Sequence, residues 1–233
     1  RSCSVASDDL LVVFLDANVL AKPVTRTLVL RCAASGYTVR WSRTAEEEAD
    51  RHLTGRQLSI AGLRALVEIP LSPTGADPER FTGTSVDDRQ ILADAEAAGA
   101  TFMVTEDVDD FAELDLRTAG VTAVNPDLFL AARADRDVYR LALEVMVSGM
   151  ADPSRTPAEL HAAISRQHPR LFQRHRDLFD VEPQATGHRP PATLYRGLTC
   201  LRCLTEQPRE ADLINGLCPS CTAETSPTSV SAD

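Results

Sequence analysis

The strongest constraint on how this chain can fold is an alternation of short apolar runs with helical patterns, which starts at the LVVFL run Leu11–Leu15. Five apolar residues in a row suit a buried strand and are too few for a helix. Pro23 follows where a helix can begin, with Leu28, Leu30, Cys32 and Ala33 among its apolar positions. Residues 37–41 alternate like a second strand, and helical patterns occupy 45–53 and 57–67. The stretch 70–84 is rich in Pro, Gly and Thr and reads as a loop. Ser85-x-x-Asp88 has the form of a capping box and predicts a helix from Ser85 to a stop at Gly99. Strands are expected at 101–104 and 121–124. The pair Asn125-Pro126 starts a further helix, and Val138, Leu141, Ala142, Val145 and Met146 continue a helical stripe. Thr156-Pro157-Ala158-Glu159 is a second capping box. Strand alternating with helix predicts an α/β fold around a central parallel sheet.

A chain of 233 residues accommodates one such domain and an appendage. No apolar run approaches the length of a bilayer span, and the run at 10–15 is too short for a signal-peptide core. A cytoplasmic protein without membrane contact is expected. The net charge of −10 does not suit a generic nucleic-acid binder, but the charge is unevenly spread. Residues 85–115 hold ten acids and one Arg, whereas 161–203 hold seven Arg and three acids. An acidic pocket suits a divalent metal, and a basic flank suits a polyanion.

In an open parallel sheet, ligands bind beyond the carboxyl ends of the strands. Asp16 ends the first strand, and Asp107 and Asp110 follow the strand at 101–104. Asp88 stands at a helix start, and Glu47 and Glu48 lie in a helix after the second strand. Carboxylates brought together repel one another unless a cation lies between them. Mg²⁺ or Mn²⁺, with hard oxygen ligands and retained waters, would activate water and stabilise a phosphodiester leaving group. Each acid also has a plainer reading. Asp16 and Asp88 could serve as turn or cap residues, and the triple Glu run could be a solvated helix face. Asp109, Glu113 and Asp115 are expected to be solvated. Other α/β chemistries lack their signatures. There is no Walker A loop, no G-x-G-x-x-G and no serine elbow, and Asn18 stands where a haloacid-dehalogenase-type phosphatase needs a second Asp.

FLDANVL at 14–20, WSRTAEEEADRHL at 41–53 and SVDDRQILADAEAAGATFMVTEDVDDF at 85–111 resemble, in order, the acidic motifs of PIN-domain ribonucleases. TPAELHAAISRQHPRLFQRHRDLF at 156–179 is similar to the helical end of a bacterial, VapC-like toxin branch of that family. The resemblance covers roughly the first 180 residues. It implies a three-layer α/β/α domain and a Mg²⁺- or Mn²⁺-dependent endoribonuclease. Its catalytic acids would be Asp16, Glu48, Asp88 and Asp107, with Asp110 as a further metal ligand. Asn18 would orient Asp16, and Thr105 would hydrogen-bond near the metal. Implied partners are an RNA substrate, a separate antitoxin covering the acidic cleft, and a second copy of the chain. The alternatives are a non-catalytic PIN-fold binding module and an RNA-processing nuclease outside toxin-antitoxin systems. The corresponding division is 10–135 for the nuclease domain, 136–180 for helices packed on it, 181–195 for a linker, 196–223 for a zinc module and 224–233 for a disordered tail.

Cys200-x-x-Cys203 and Cys218-x-x-Cys221 are two knuckles separated by fourteen residues. Each places two thiolates on one side of a tight turn, and together they complete a tetrahedral structural Zn²⁺ site resembling a zinc ribbon. A redox dithiol pair is the alternative. Metal would supply most of the folding free energy of so short a module, on the order of 10 kcal/mol. Its function is read equally as RNA contact, through Arg196, Arg202 and Arg209, or protein docking. Arg166, Arg170, Arg174 and Arg176 are candidates for phosphate contact. His161, His168 and His175, spaced by seven but interrupted by Pro169, are expected at the surface. Phe14, Tyr37, Trp41 and Cys32 are expected in the core, and Cys3 as a free thiol near a flexible end.

Overall fold

The structure is a computed structural model that describes residues 11–54, 57–150, 155–185 and 191–225. Cys3, most of the expected tail and the centre of the expected linker lie outside those residues. Five strands form one sheet: β1 (Leu11–Leu15), β2 (Tyr37–Arg40), β3 (Phe102–Val104), β4 (Thr122–Val124) and β5 (Tyr195–Arg196). Their order is β2-β1-β3-β4-β5; the first four are parallel and β5 runs antiparallel to β4. The fold is thus α/β around a mostly parallel sheet, as the alternation predicts.

Parallel neighbours need crossover connections, which are right-handed. From β1 the chain passes through α1 (Ala17–Leu20) and α2 (Pro23–Arg31) to β2. It returns past β1 to β3 through α3 (Arg43–Arg51), α4 (Ile60–Val67) and α5 (Arg89–Ala97). α6 (Glu113–Ala119) joins β3 to β4. After β4 come α7 (Pro126–Arg133), α8 (Arg136–Ser148), α9 (Pro157–Ile164) and α10 (Pro169–Arg174). α3 packs on α4 and α5, and α5 on α6; α2 packs instead on α7 and α8, α7 on α10, and α8 on α9. The reversal of direction at β1 gives these two groups opposite faces of the sheet. The strands are almost wholly buried between them, with Phe14, Leu15, Phe102, Met103 and Val104 inaccessible, as is Phe129 of α7. Among the described residues, no helix is long and apolar enough to cross a membrane.

Two expected helix starts end differently. Thr156 caps α9 as a full capping box with Glu159. Ser85 does not cap α5: its hydroxyl donates to Asp88 Oδ2 at 2.6 Å, residues 85–88 make a turn, and the helix begins at Arg89. The Ser85–Asp88 bond closes within that turn, before the helix starts, rather than onto a helix amide.

The surface expectation for the three histidines is corrected. His161, His168 and His175 are all buried. His161 Nδ1 lies 3.0 Å from the Tyr139 hydroxyl, and its ring stacks on Phe172. His175 stacks on Tyr139 at 4.8 Å between centroids. Pro169 breaks the helix between α9 and α10, and that bend folds the rings inward rather than leaving them along one exposed face. Asp115 is also buried rather than solvated; it accepts the amides of Gly83 and Thr84 at 2.9 and 2.7 Å. Phe14, Tyr37, Trp41 and Cys32 lie in the core.

Burial lowers the pKa of each of the three histidines to about 4. The unfolded chain takes up these protons near 6.5 while the folded chain does not, so their contribution to stability is present above 6.5 and lost as pH falls towards 4. His161→Phe should therefore lose less stability than wild type between pH 7 and pH 4.5, by about 1–3 kcal/mol. Urea unfolding at the two pH values measures this difference; equal losses in both proteins would contradict it.

Candidate active site and metal centre

Asp16 is the first residue past β1, and its amide donates to Val104 O at 3.1 Å, so it extends the β1–β3 ladder. β1 and β3 flank the point where the connections change direction, the place where open α/β sheets form their ligand crevice. The Asp16 side chain is buried and fully engaged. Oδ1 accepts from Ala17 N at 2.6 Å; Oδ2 accepts from the Thr105 hydroxyl at 2.7 Å and from Asn18 Nδ2 at 2.9 Å. The Asn18 amide also lies 3.1 Å from Asp107 Oδ2, and Thr105 Oγ1 accepts the Asp107 amide at 3.1 Å. Asn18 and Thr105 thus join the acid after β1 to the acid after β3.

Three acids of this group are harder to ionise than usual. Burial pushes the Asp16 carboxyl up to about 7; the bonds from Thr105 and Ala17 oppose the shift, and the charges of Asp88 and Glu48 add to it. Burial also raises Asp88, against its bond from Ser85, with help from Asp110 and Glu48. Asp110 is raised by burial and then by Asp107 and Asp109. These influences connect Asp16, Glu48, Asp88, Asp107 and Asp110 as one electrostatic cluster. Within the triple Glu run the roles differ. Glu46 is buried and accepts from Trp41 Nε1 and Arg64 Nε, Glu47 is exposed, and Glu48 is half-buried towards the cluster.

The donor set is all oxygen and suits a hard cation such as Mg²⁺, which binds one or two carboxylates and keeps its waters. The carboxylates are more widely spaced than the thiolates at the other end of the chain. Among the described residues, Cys200, Cys203, Cys218 and Cys221 are the one group of three or more metal-ligand side chains whose donor atoms all lie within 4.8 Å of one another. Cys203 Sγ and Cys218 Sγ are 3.7 Å apart. A tetrahedron of Zn–S bonds near 2.3 Å has edges of about 3.8 Å. None of the four is in a disulfide, and Cys218 N donates to Cys200 Sγ at 3.3 Å. The cluster could hold a metal such as zinc.

The cysteine segment is fixed to the sheet. β5 pairs with β4, and Leu201 and Tyr195 belong to the main core. Gly197, at φ +146°, lies so close to Thr122 that a Cβ would meet Thr122 Oγ1 at 2.4 Å. Arg133 Nη1 donates to Arg202 O at 3.0 Å. Arg196 reaches the loop after β3, where Nη1 donates to Phe111 O at 2.7 Å and Nη2 to Asp109 Oδ1 at 3.1 Å. Residue type and spacing gave no hint of this contact, because Arg196 and Asp109 are far apart in the sequence.

Comparison with family models, curated proteins and solved structures found no match.

The four arginines expected to contact phosphate are not equivalent. Arg170 lies 3.6 Å from Asp127, whose carboxylate also accepts the Arg170 and Leu171 amides. Arg166, Arg174 and Arg176 are exposed. Lys22, the chain's single lysine, pairs with Glu106 beside Asp107; a lone lysine carries no pattern in the sequence that would mark it.

Two outcomes follow. The raised Asp16 pKa means that folding favours its protonated form, so stability is lost as pH rises through about 7. A cation bound at Asp16 would replace that proton. Mn²⁺ should therefore raise the melting temperature more at pH 8 than at pH 5, and Asp16→Asn should remove the response; an undiminished response in the variant would contradict this. At the thiolates, protein purified without chelator should contain one zinc per chain. Cys221→Ser should lose the zinc and increase hydrogen exchange both in residues 195–217 and, through Arg196, in 107–111. Zinc-free wild-type protein would refute the metal centre, and unchanged exchange at 107–111 in the variant would refute the coupling.

Proposed function

We propose that this chain is a divalent-metal-dependent endoribonuclease built on a three-layer, PIN-like domain. The observation that carries the reading is Asp16, buried at the carboxyl end of β1 with its pKa raised to about 7 by burial and by the charges of Asp88 and Glu48. A carboxylate held ready in such a place is costly without a cation, and the other acids come from the segments whose motifs resemble the PIN family. Asp16, Glu48, Asp88 and Asp107 would hold Mg²⁺ or Mn²⁺, with Asp110 beside them. The cation would supply Lewis acidity for hydrolysis of an RNA phosphodiester. Asn18 and Thr105 fix the relative orientation of Asp16 and Asp107. The tight Thr105 bond leaves Asp16 little freedom to turn away from the crevice.

The VapC-like helical end supports a toxin restrained by a separate antitoxin. Leu58, Leu66 and Val67 are exposed around α4 and offer apolar surface to an antitoxin or a second copy. The zinc module, through β5 and Arg196, would steady the loop that carries Asp107 and Asp110.

Purified protein should cleave labelled single-stranded RNA with Mn²⁺, and Asp16→Asn should lower the rate by about 10³-fold, the equivalent of about 4 kcal/mol of barrier. Equal cleavage by variant and wild type, or none by wild type across varied RNAs and both metals, contradicts the proposal.

A further inference from the structure

Beside the acidic cluster lies a cleft of about 450 Å³, within the range that takes a small ligand. Asp107 borders it at the side of the cluster, and Lys22, Arg166 and Arg170 supply its cations. Lys22 is paired with Glu106, and Arg170 shares Asp127 with two backbone amides. Arg166 is exposed and its side chain makes no ion pair or hydrogen bond among the described residues, so its guanidinium is the cation ready for an incoming anion. His168, also on the border, is buried; its Nε2 meets the Thr25 hydroxyl at 3.0 Å, while its Nδ1 has no partner. Pro126, Pro169, Pro191 and Leu194 supply its apolar wall, while Glu106, Asp127, Asn125 and Gln167 complete the lining.

We infer that this cleft is a subsite for one nucleotide of a single-stranded RNA, with its phosphate on Arg166 and Arg170 and its base against the proline wall. The inference rests on the nuclease reading for its substrate, and it adds where the strand beside the cut is held. A polyanion crossing an acidic cluster is repelled unless cations fix the flanking phosphates, and this cleft is where cations and Asp107 adjoin. Charge-assisted, planar contacts from arginine suit a phosphate. A planar base against apolar surface is sequence-tolerant, so the subsite reads strandedness and not base identity. Gln167, exposed at the cleft, and Asn125, whose Oδ1 already accepts the Asp127 amide at 3.0 Å, are the neutral polar side chains for a ribose hydroxyl. Arg174 and Arg176 do not line the cleft and have no part in it.

The single lysine makes the test direct. Reductive ¹³C-methylation labels Lys22 as the one side-chain amine, and its NMR signal reports on the cleft. Uridine 5′-monophosphate should shift the signal saturably, uridine should not, and single-stranded hexauridylate should bind more tightly than the mononucleotide. Arg166→Glu should weaken both phosphate ligands by at least about tenfold, and by more than the charge-matched Arg31→Glu on the exposed end of α2. Four results would overturn the subsite: an unmoved Lys22 signal, equal shifts from uridine and its monophosphate, equal losses in the two variants, or binding of the mononucleotide but not the strand. The two claims can fail separately. Nucleotide binding without RNA cleavage removes the nuclease reading and leaves the subsite, whereas cleavage with an unmoved Lys22 signal does the reverse.

Discussion

Parallel strands cannot be joined by a tight turn, and β1 is parallel to a neighbour on each side. The β1–β2 and β2–β3 connections must therefore both cross over, and they pack on opposite faces of the sheet. The same reversal parts the loops beyond β1 and β3 and opens a crevice there. Asp16 sits at its floor because the ladder continues one residue further, through the Asp16 amide and Val104 O. The burial that raises its pKa, the reach of Thr105 and the approach of Asn18 to Asp107 are consequences of that position.

The chain has two donor clusters of opposite character. The carboxylates are spread, partly open and linked by repulsion, an arrangement that suits a hydrated hard cation. The thiolates are tight, mostly buried and spaced like the edges of a tetrahedron, an arrangement that suits a soft ion with no open position. The two are not mechanically separate. β5 closes one edge of the sheet with the start of the cysteine segment, and Arg196 extends from it to the loop between β3 and α6. A metal held by the cysteines would thereby bear on the order of the acids at the other end.

What the sequence could reveal depended on how local each signal was. LVVFL, the Thr156–Glu159 box and the two cysteine knuckles are local patterns, and the strand, the α9 cap and the thiolate cluster appear where those patterns predict. The parallel sheet followed from alternation alone, but β5 did not, because two residues after a Pro-rich stretch carry no strand period. The histidines were misread for a related reason. A spacing of seven across Pro169 describes no single helix, and their burial comes from α8, α9 and α10 meeting around Tyr139. Asp115 looked like any helix-surface acid; its partners, the amides of Gly83 and Thr84, lie in a loop whose path no period records. Ser85 matched a capping pattern, yet residues 85–88 close a turn and the helix starts only at Arg89. Glu46, the buried member of the Glu run, was distinguished from Glu48 only once Trp41 and Arg64 were seen to hold it.

The central claim is that the crevice at Asp16 is a divalent-cation site distinct from the thiolate cluster. Anomalous diffraction from one crystal grown with MnCl₂, recorded on both sides of the manganese and zinc absorption edges, tests it most directly. The account predicts a manganese peak against the Asp16 carboxylate and a separate zinc peak among Cys200, Cys203, Cys218 and Cys221. A crevice without manganese at saturating concentration, with the zinc peak present as an internal standard, would contradict it.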